Sequence, residues 1–143
     1  VILYNADNDV SDWVAQNLFG TDRKYFCENP YSIGLVKDGI LICGVVYNNY
    51  RETPDNKPIS IEMSIFSIDK SWANRQYLRA IFAYPFIQLG LERVQITTSV
   101  VNEGINSVVP RIGFKKEGLH RKAHFDGGDC YSWSILKDEC RWL

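Results

Sequence analysis

The sequence predicts one mixed α/β domain, and three observations carry that expectation. Residues Ile59 to Ile68 and the run "ERVQITTSV" both alternate apolar and polar side chains, as half-buried strands do. Between them the period changes to a helical one, so the three pieces make a strand–helix–strand crossover with parallel strands. Asp38-Gly39 separates two β-rich runs and signals a tight antiparallel hairpin. At 143 residues, 45% of them hydrophobic and 23% charged, the chain suits a single packed core, so residues 1–143 are read as one domain.

Taken in order, Val1 to Tyr4 is expected as a short opening strand. "DVSDWVAQNLFG" follows as a helix, with Asp9 or Ser11 as its N-cap, Trp13, Val14 and Leu18 as its apolar stripe, and Gly20 as its stop. Residues 21–30 form a polar connection. Tyr31 to Val36 and Ile40 to Tyr50 are the hairpin strands, and "RETPDNKP" is a loop. From Asn74 a helix presents Leu78, Ile81, Phe82, Pro85, Phe86 and Leu89 on one face, closes at Gly90, and should bend at Pro85. After the second crossover strand, Asn102 precedes a short helix near Asn106 to Arg111. Gly113-Phe114 leads into a last hairpin turning at Asp126-Gly127-Gly128-Asp129, and that hairpin holds both His120 and His124.

A net charge of -1 argues against a chain that coats nucleic acid. No apolar run is long enough to cross a bilayer, and "VILYNADNDV" lacks the basic and apolar regions of a signal peptide. Cys27, Cys43, Cys130 and Cys140 are scattered, without a metal-binding grouping, and read as reduced thiols of a cytoplasmic protein; no metal site is expected.

With Phe86, "LGLERV", Asn102, Gly113-Phe114, Glu117-Gly118 and Arg121 spaced as they are, the chain resembles the GNAT acyl-CoA N-acyltransferases. Within that family it is most similar to the ribosomal-protein N-terminal acetyltransferases. The element order agrees over nearly the whole chain, the residue matches over its second half. The resemblance implies a mostly antiparallel sheet whose two parallel strands splay apart and admit acetyl-CoA. A pantetheine arm would lie along the edge Ile65 to Ile68, with Phe66, Ser67 and Ile68 in contact. The pyrophosphate would meet the turn from Ser71 to Arg75, including Trp72, Ala73, Asn74 and Arg75, at a helix N-terminus. Asn102 and Ser107 would border the other side.

One departure stands out. The family's turn carries spaced glycines, whereas "DKSWANRQYLRA" has none, and Trp72 falls near a glycine position. Lys70, Arg75 and Arg79 are cations that could take over lost amide contacts, or the solvated start of a helix. By the same resemblance Glu62 is the base that deprotonates the amine, with Ser64 beside it orienting water or substrate. The family's proton donor, a Tyr four residues before the "GF" glycine, is replaced by Val109. Tyr131, Ser107 or water remain, and Tyr131 also reads as a packing residue of the hairpin.

The expected activity is transfer of an acetyl group to a primary amine, on a protein N-terminus or a small molecule. The alternative is an inactive binding module of the same fold whose turn is blocked. The basic run Lys115, Lys116, Arg121 and Lys122 reads as a guarded strand edge, or as a patch that meets an aminoacyl-RNA. Trp142-Leu143 is the candidate contact for a homodimer.

Overall fold

A computed structural model describes all 143 residues. Seven strands, β1 (Ile2–Leu3), β2 (Tyr31–Lys37), β3 (Ile40–Glu52), β4 (Pro58–Ser67), β5 (Arg93–Ser99), β6 (Lys115–His120) and β7 (Cys130–Leu136), form one sheet. Three helices, α1 (Asp7–Phe19), α2 (Arg75–Ala83) and α3 (Glu103–Ile112), accompany it. The order across the sheet is β1-β2-β3-β4-β5-β7-β6. Every pair is antiparallel except β4 and β5, the two strands joined by the crossover. No helix is long and apolar enough to cross a membrane.

Alternation along each strand sends side chains to two covered faces. On one face Val10, Val14 and Ala15 of α1 pack with Phe26 and Val46. Here α1 approaches β3 so closely that a Cβ on Gly44 would lie 2.6 Å from Val14 Cγ2. The larger core lies on the other face, where Leu78, Ile81, Phe82 and Phe86 meet Ile61, Met63, Val94 and Trp133. The hairpin between β2 and β3 turns where the sequence predicts. Asp38 (φ 52) and Gly39 (φ 76) both adopt the left-handed conformation that a two-residue turn needs.

Several local expectations are corrected. α1 starts at Asp7, with Ala6 at its N-cap, so neither Asp9 nor Ser11 caps it. Asp7 and Asp9 instead place negative charge in the first turn. Asp7 Oδ1 also accepts a 2.9 Å hydrogen bond from Ser32 N, fastening the helix to β2. The stripe from Leu78 to Leu89 is not one α-helix. α2 ends at Ala83, and Tyr84–Gln88 widens into a π turn with Leu89 N bonded to Tyr84 O at 3.0 Å. Pro85 has no N–H for the carbonyl of Ile81, and the Tyr47 hydroxyl donates to that carbonyl instead.

The last third differs too. α3 begins at Glu103 because Asn102 Oδ1 caps it, accepting from Ile105 N at 3.3 Å. Gly113 (φ 124) ends it, and Phe114 is buried directly after. β6 and β7 are joined by a longer loop, residues 121–129, so His120 ends a strand while His124 lies in the loop. Trp142 and Leu143 pack on the core of their own chain, with Trp142 Nε1 donating to Ile112 O at 2.8 Å. That removes the reason for assigning them to a dimer contact. β6 is an edge strand, and its lysines are engaged locally: Lys116 Nζ sits 3.7 Å from the centre of the Tyr131 ring, and Lys115 pairs with Glu139.

Candidate active site

β4 and β5 pair only at Ser60–Arg93, Ile61–Val94 and Glu62–Gln95. Beyond that point each strand stays bonded to its outer neighbour alone, β4 to β3 as far as Ser67–Cys43 and β5 to β7 as far as Ser99–Cys130. The two strands therefore diverge without melting, and the facing edge of β4 from Met63 onward has no strand partner. Two cavities flank the splay, one of about 350 Å³ and one of about 870 Å³, and Ile65 and Ile105 line both.

The larger cavity brings together Ser67, Ile68, Trp72, Ala73, Asn102 and Ser107, six residues that the resemblance assigns to the cofactor. Three others do not line it. Phe66 turns to the α1 face, its ring 5.2 Å from that of Trp13; Asn74 and Arg75 are exposed outside the cavity. The glycine-free turn is built from side-chain caps. Ser67 Oγ lies 2.7 Å from Asp69 O and 3.2 Å from Asp69 N, and Asp69 Oδ1 accepts from Ser71 N at 2.8 Å. Asn74 Oδ1 accepts from Tyr77 N at 2.9 Å while its Nδ2 donates to Ser71 O. No residue between Ser67 and Arg75 has a positive φ, so this path needs no glycine. The hydrogen bond from Ser71 N, before any charge effect, holds the Asp69 carboxyl below the usual carboxylate range. Ala73 N and Asn74 N donate to nothing in the protein. Trp72 is buried, part of the core and of the cavity wall.

On the other side, Glu62 and Ser64, to which the resemblance gives the roles of base and orienting residue, line the smaller cavity. Glu62 stands opposite Asn48 in the β3–β4 ladder, and its Oε2 accepts from Asn49 Nδ2 at 2.9 Å. Ile96, Thr97 and Thr98 of β5 form part of the wall, and its aromatic part comes from Phe19 of α1, from Tyr25 and Phe26 of the connection after it, and from His124 and Phe125 of the 121–129 loop. His124 Nδ1 lies 3.0 Å from Asp126 Oδ1 but is not aligned with it as a hydrogen bond.

The mouth is held open by groups that sequence reading passed over. Trp133 Nε1 donates to Thr98 Oγ1 (2.9 Å), Thr98 Oγ1 to Asn106 Oδ1 (2.6 Å), and Asn106 Nδ2 to Ser99 O (3.0 Å), fixing the start of α3 against β5. Arg111 and Arg141 also line the larger cavity, cations lying far along the chain from the turn. Arg141 Nη1 to Ile112 O, at 3.4 Å, the contact of Arg141 with Arg111 O, and Trp142 Nε1 to Ile112 O hold that fold-back.

For the returning proton, Ser107 lines the larger cavity, its Oγ 2.8 Å from Gly104 O, but Tyr131 lines neither cavity and lies beneath Lys116. Alternation on β7 puts Tyr131 on the face of Trp133 and Ile135, against the large core, which corrects its assignment. Val109 is buried and likewise out of reach. A cysteine nucleophile is excluded for Cys43, whose thiol burial pushes up to about 12, while Cys130 is also raised by burial.

A sheet opened between two parallel strands, with free amides at a helix start on one side and a carboxylate pocket on the other, is the architecture of the acyl-CoA N-acyltransferases. In sequence the chain is similar to acetyltransferases, and in fold to a structure of the GNAT family. No family model matches it. It is 32% identical over 124 residues to the Bacillus subtilis (strain 168) protein named "Putative ribosomal N-acetyltransferase YdaF", an alignment covering 82% of this chain and 65% of that protein. The chain thus spans just under two thirds of this relative's length. A crystal structure of a probable acetyltransferase matches at 29% identity and a TM-score of 0.64, over 82% of this chain and 66% of the other. A GNAT-family acetyltransferase from Streptococcus pneumoniae shares the fold at 16% identity and a TM-score of 0.67, over 95% and 98% of the two chains.

Proposed function

We propose that the chain transfers an acetyl group from acetyl-CoA to a primary amine, both bound at once. The observation that carries this reading is the splay itself: paired strands stop pairing at Glu62, and the cavities on either side meet at Ile65 and Ile105. One cavity suits a donor and the other an acceptor.

The larger side fits a CoA-like donor. The free edge of β4 can bond an extended amide-bearing arm as another strand would. The unbonded amides of Ala73 and Asn74, at the positive end of α2, suit a diphosphate, and Arg111 and Arg141 add charge. Acetyl-CoA supplies a thioester carbonyl, at which the new N–C bond forms as the C–S bond breaks and sulfur leaves as thiolate. Glu62, directly or through a water held by Ser64, takes the proton that turns the incoming ammonium into a nucleophilic amine. The second proton lost from nitrogen returns to solvent, and sulfur is reprotonated from water or through the Ser107 hydroxyl, a modest demand because a thiol is acidic.

The competing reading, a binding module with a closed turn, needs Trp72 across the gap. Its burial in the wall beside an open cavity favours the enzyme. The name of the Bacillus relative favours a protein amine as acceptor. Calorimetric titration with acetyl-CoA, followed by steady-state transfer to peptide amines, tests the proposal. Saturable heat and turnover are expected; neither heat nor thermal shift at millimolar acetyl-CoA would leave only the binding module.

A further inference from the structure

We infer that the smaller cavity selects a primary amine carried next to an aromatic or large apolar group, with no carboxylate and no second ammonium beside it, and that Asn48 accepts one of that amine's N–H bonds. The chemistry of this inference rests on the proposed acetyl transfer; the binding preference does not.

Three segments distant in sequence converge to make the wall. Phe19 stacks on Tyr25 at 4.1 Å between centroids and meets Phe26 at 5.9 Å and Phe125 at 4.7 Å, both edge to face. Although these rings touch one another, Tyr25 and Phe125 remain 53% and 52% exposed. Rings held in contact yet left wet at a cavity mouth offer apolar area that an incoming ring or branched chain would cover.

Charge narrows the choice. Glu62 is the lone carboxylate in the wall, His124 the lone imidazole, and no Lys or Arg lines it. An amine neighboured by a free carboxylate would bring an anion beside Glu62 with no cation to meet it. A polyamine would bring a second ammonium with no second carboxylate in the wall, Asp126 lying behind His124. Both would bury an unpaired charge. The volume, about 350 Å³, suits one side chain with its amine and not a long extended base.

Asn48 supplies the polar mark. Its Oδ1 is buried and bonded to nothing in the protein, which is uncommon for an amide oxygen. Asn48 lines the cavity directly opposite Glu62 on the neighbouring strand, so both side chains leave the same face of the sheet. A neutral amine keeps two hydrogens once Glu62 has taken one, and a turn of the Asn48 amide toward the cavity brings its unbonded Oδ1 to accept one of them.

The test compares phenethylamine, a Phe-Gly-Gly amide, an Ala-Gly-Gly amide, spermidine and free phenylalanine, by initial rates of acetylation and by calorimetric binding without acetyl-CoA. Expected is a kcat/KM at least about tenfold higher for an aromatic monoamine than for the alanine peptide, spermidine or phenylalanine. The better of phenethylamine and the Phe peptide distinguishes a free amine from a chain terminus. Phe125→Ala, at an exposed ring, should weaken phenethylamine binding about tenfold and narrow its advantage, and Asn48→Leu should raise KM for every amine together. Binding with this preference but no turnover would uphold the pocket and overturn the acetyl transfer. Turnover fastest on spermidine, on alanine or on a free amino acid would do the reverse, and no measurable arylalkylamine binding would overturn the inference outright.

Discussion

Asn49 Nδ2 donates a 2.9 Å hydrogen bond to Glu62 Oε2 across the β3–β4 pair. It can do so because β3 carries an extra residue there: the register passes from Asn48–Glu62 to Arg51–Ser60, and Asn49 adopts φ 54. An asparagine tolerates that left-handed conformation better than most residues. The bulge thus holds the carboxylate at the point where β4 and β5 part. Glu62→Gln should lower kcat by about 10²-fold or more while the acetyl-CoA dissociation constant stays within about twofold, since the change removes a base and no donor contact. Asn49→Gly, which keeps the backbone and removes the hydrogen bond, should lower kcat by a smaller factor. Steady-state rates paired with calorimetry read both, and an equal loss of acetyl-CoA affinity in Glu62→Gln would move Glu62 out of the base role.

The turn between β4 and α2 should depend on its caps in a measurable way. Asn74 Oδ1 satisfies Tyr77 N, the first amide of α2 bonded by a side chain. Asn74→Ala is expected to cost about 1 kcal/mol in urea denaturation, and Asn74→Gly only a few tenths. Equal losses in the two variants would mean that the bond to Ser71 O, and not the cap, carries the effect.

The order of elements could be read from the sequence because period changes mark it. Ile59 to Ile68, the stripe from Leu78, and "ERVQITTSV" define the crossover, and Asp38-Gly39 defines the hairpin. The splay was expected from resemblance alone; periodicity cannot report where pairing stops. Pro85 signals a disturbed helix, but a π turn depends on Tyr47 reaching the Ile81 carbonyl from another strand. Alternation gives Tyr131 a side of the sheet, but not that Lys116 and the large core claim that side. The aromatic wall stayed hidden for the same reason: Phe19 and Phe125 meet only after the last loop folds over α1. Asn48 carries no motif at all. Only its buried, unbonded oxygen opposite Glu62 singles it out.

Close packing of α1 on the sheet yields a stability prediction. In Gly44→Ala the added methyl would meet Val14 Cγ2 at 2.6 Å and Val10 Cγ1 at 3.0 Å, both on a helix pinned through Asp7 to Ser32. Neither valine is the far end of a flexible chain, so the helix must shift. The expected loss is about 1–3 kcal/mol by chemical denaturation. Because α1 carries Phe19, the shift should also weaken binding in the smaller cavity.

Acid should release one defined contribution to stability. Glu117 on β6 accepts two hydrogen bonds from Arg93 at the start of β5, Oε1 from Nη2 at 2.6 Å and Oε2 from Nη1 at 3.2 Å. Those bonds hold its carboxyl below the ordinary value of 4.5, against an opposing push from partial burial. A carboxyl whose folded value is depressed stabilises the fold above its unfolded value and loses that stabilisation as pH falls through the folded one. Both side chains are partly exposed, 31% for Arg93 and 42% for Glu117, so water screens the pair and the effect is small. Glu117→Gln should therefore be less stable than the parent chain near neutral pH, and the difference should close as pH falls through the folded value of Glu117, below 4.5. Asp69, Asp126 and Glu139 are depressed as well, so the parent's own acid limb mixes several groups and only the difference between the two chains isolates this one. A gap that persists unchanged into acid would assign the loss to packing at residue 117 and not to the ion pair.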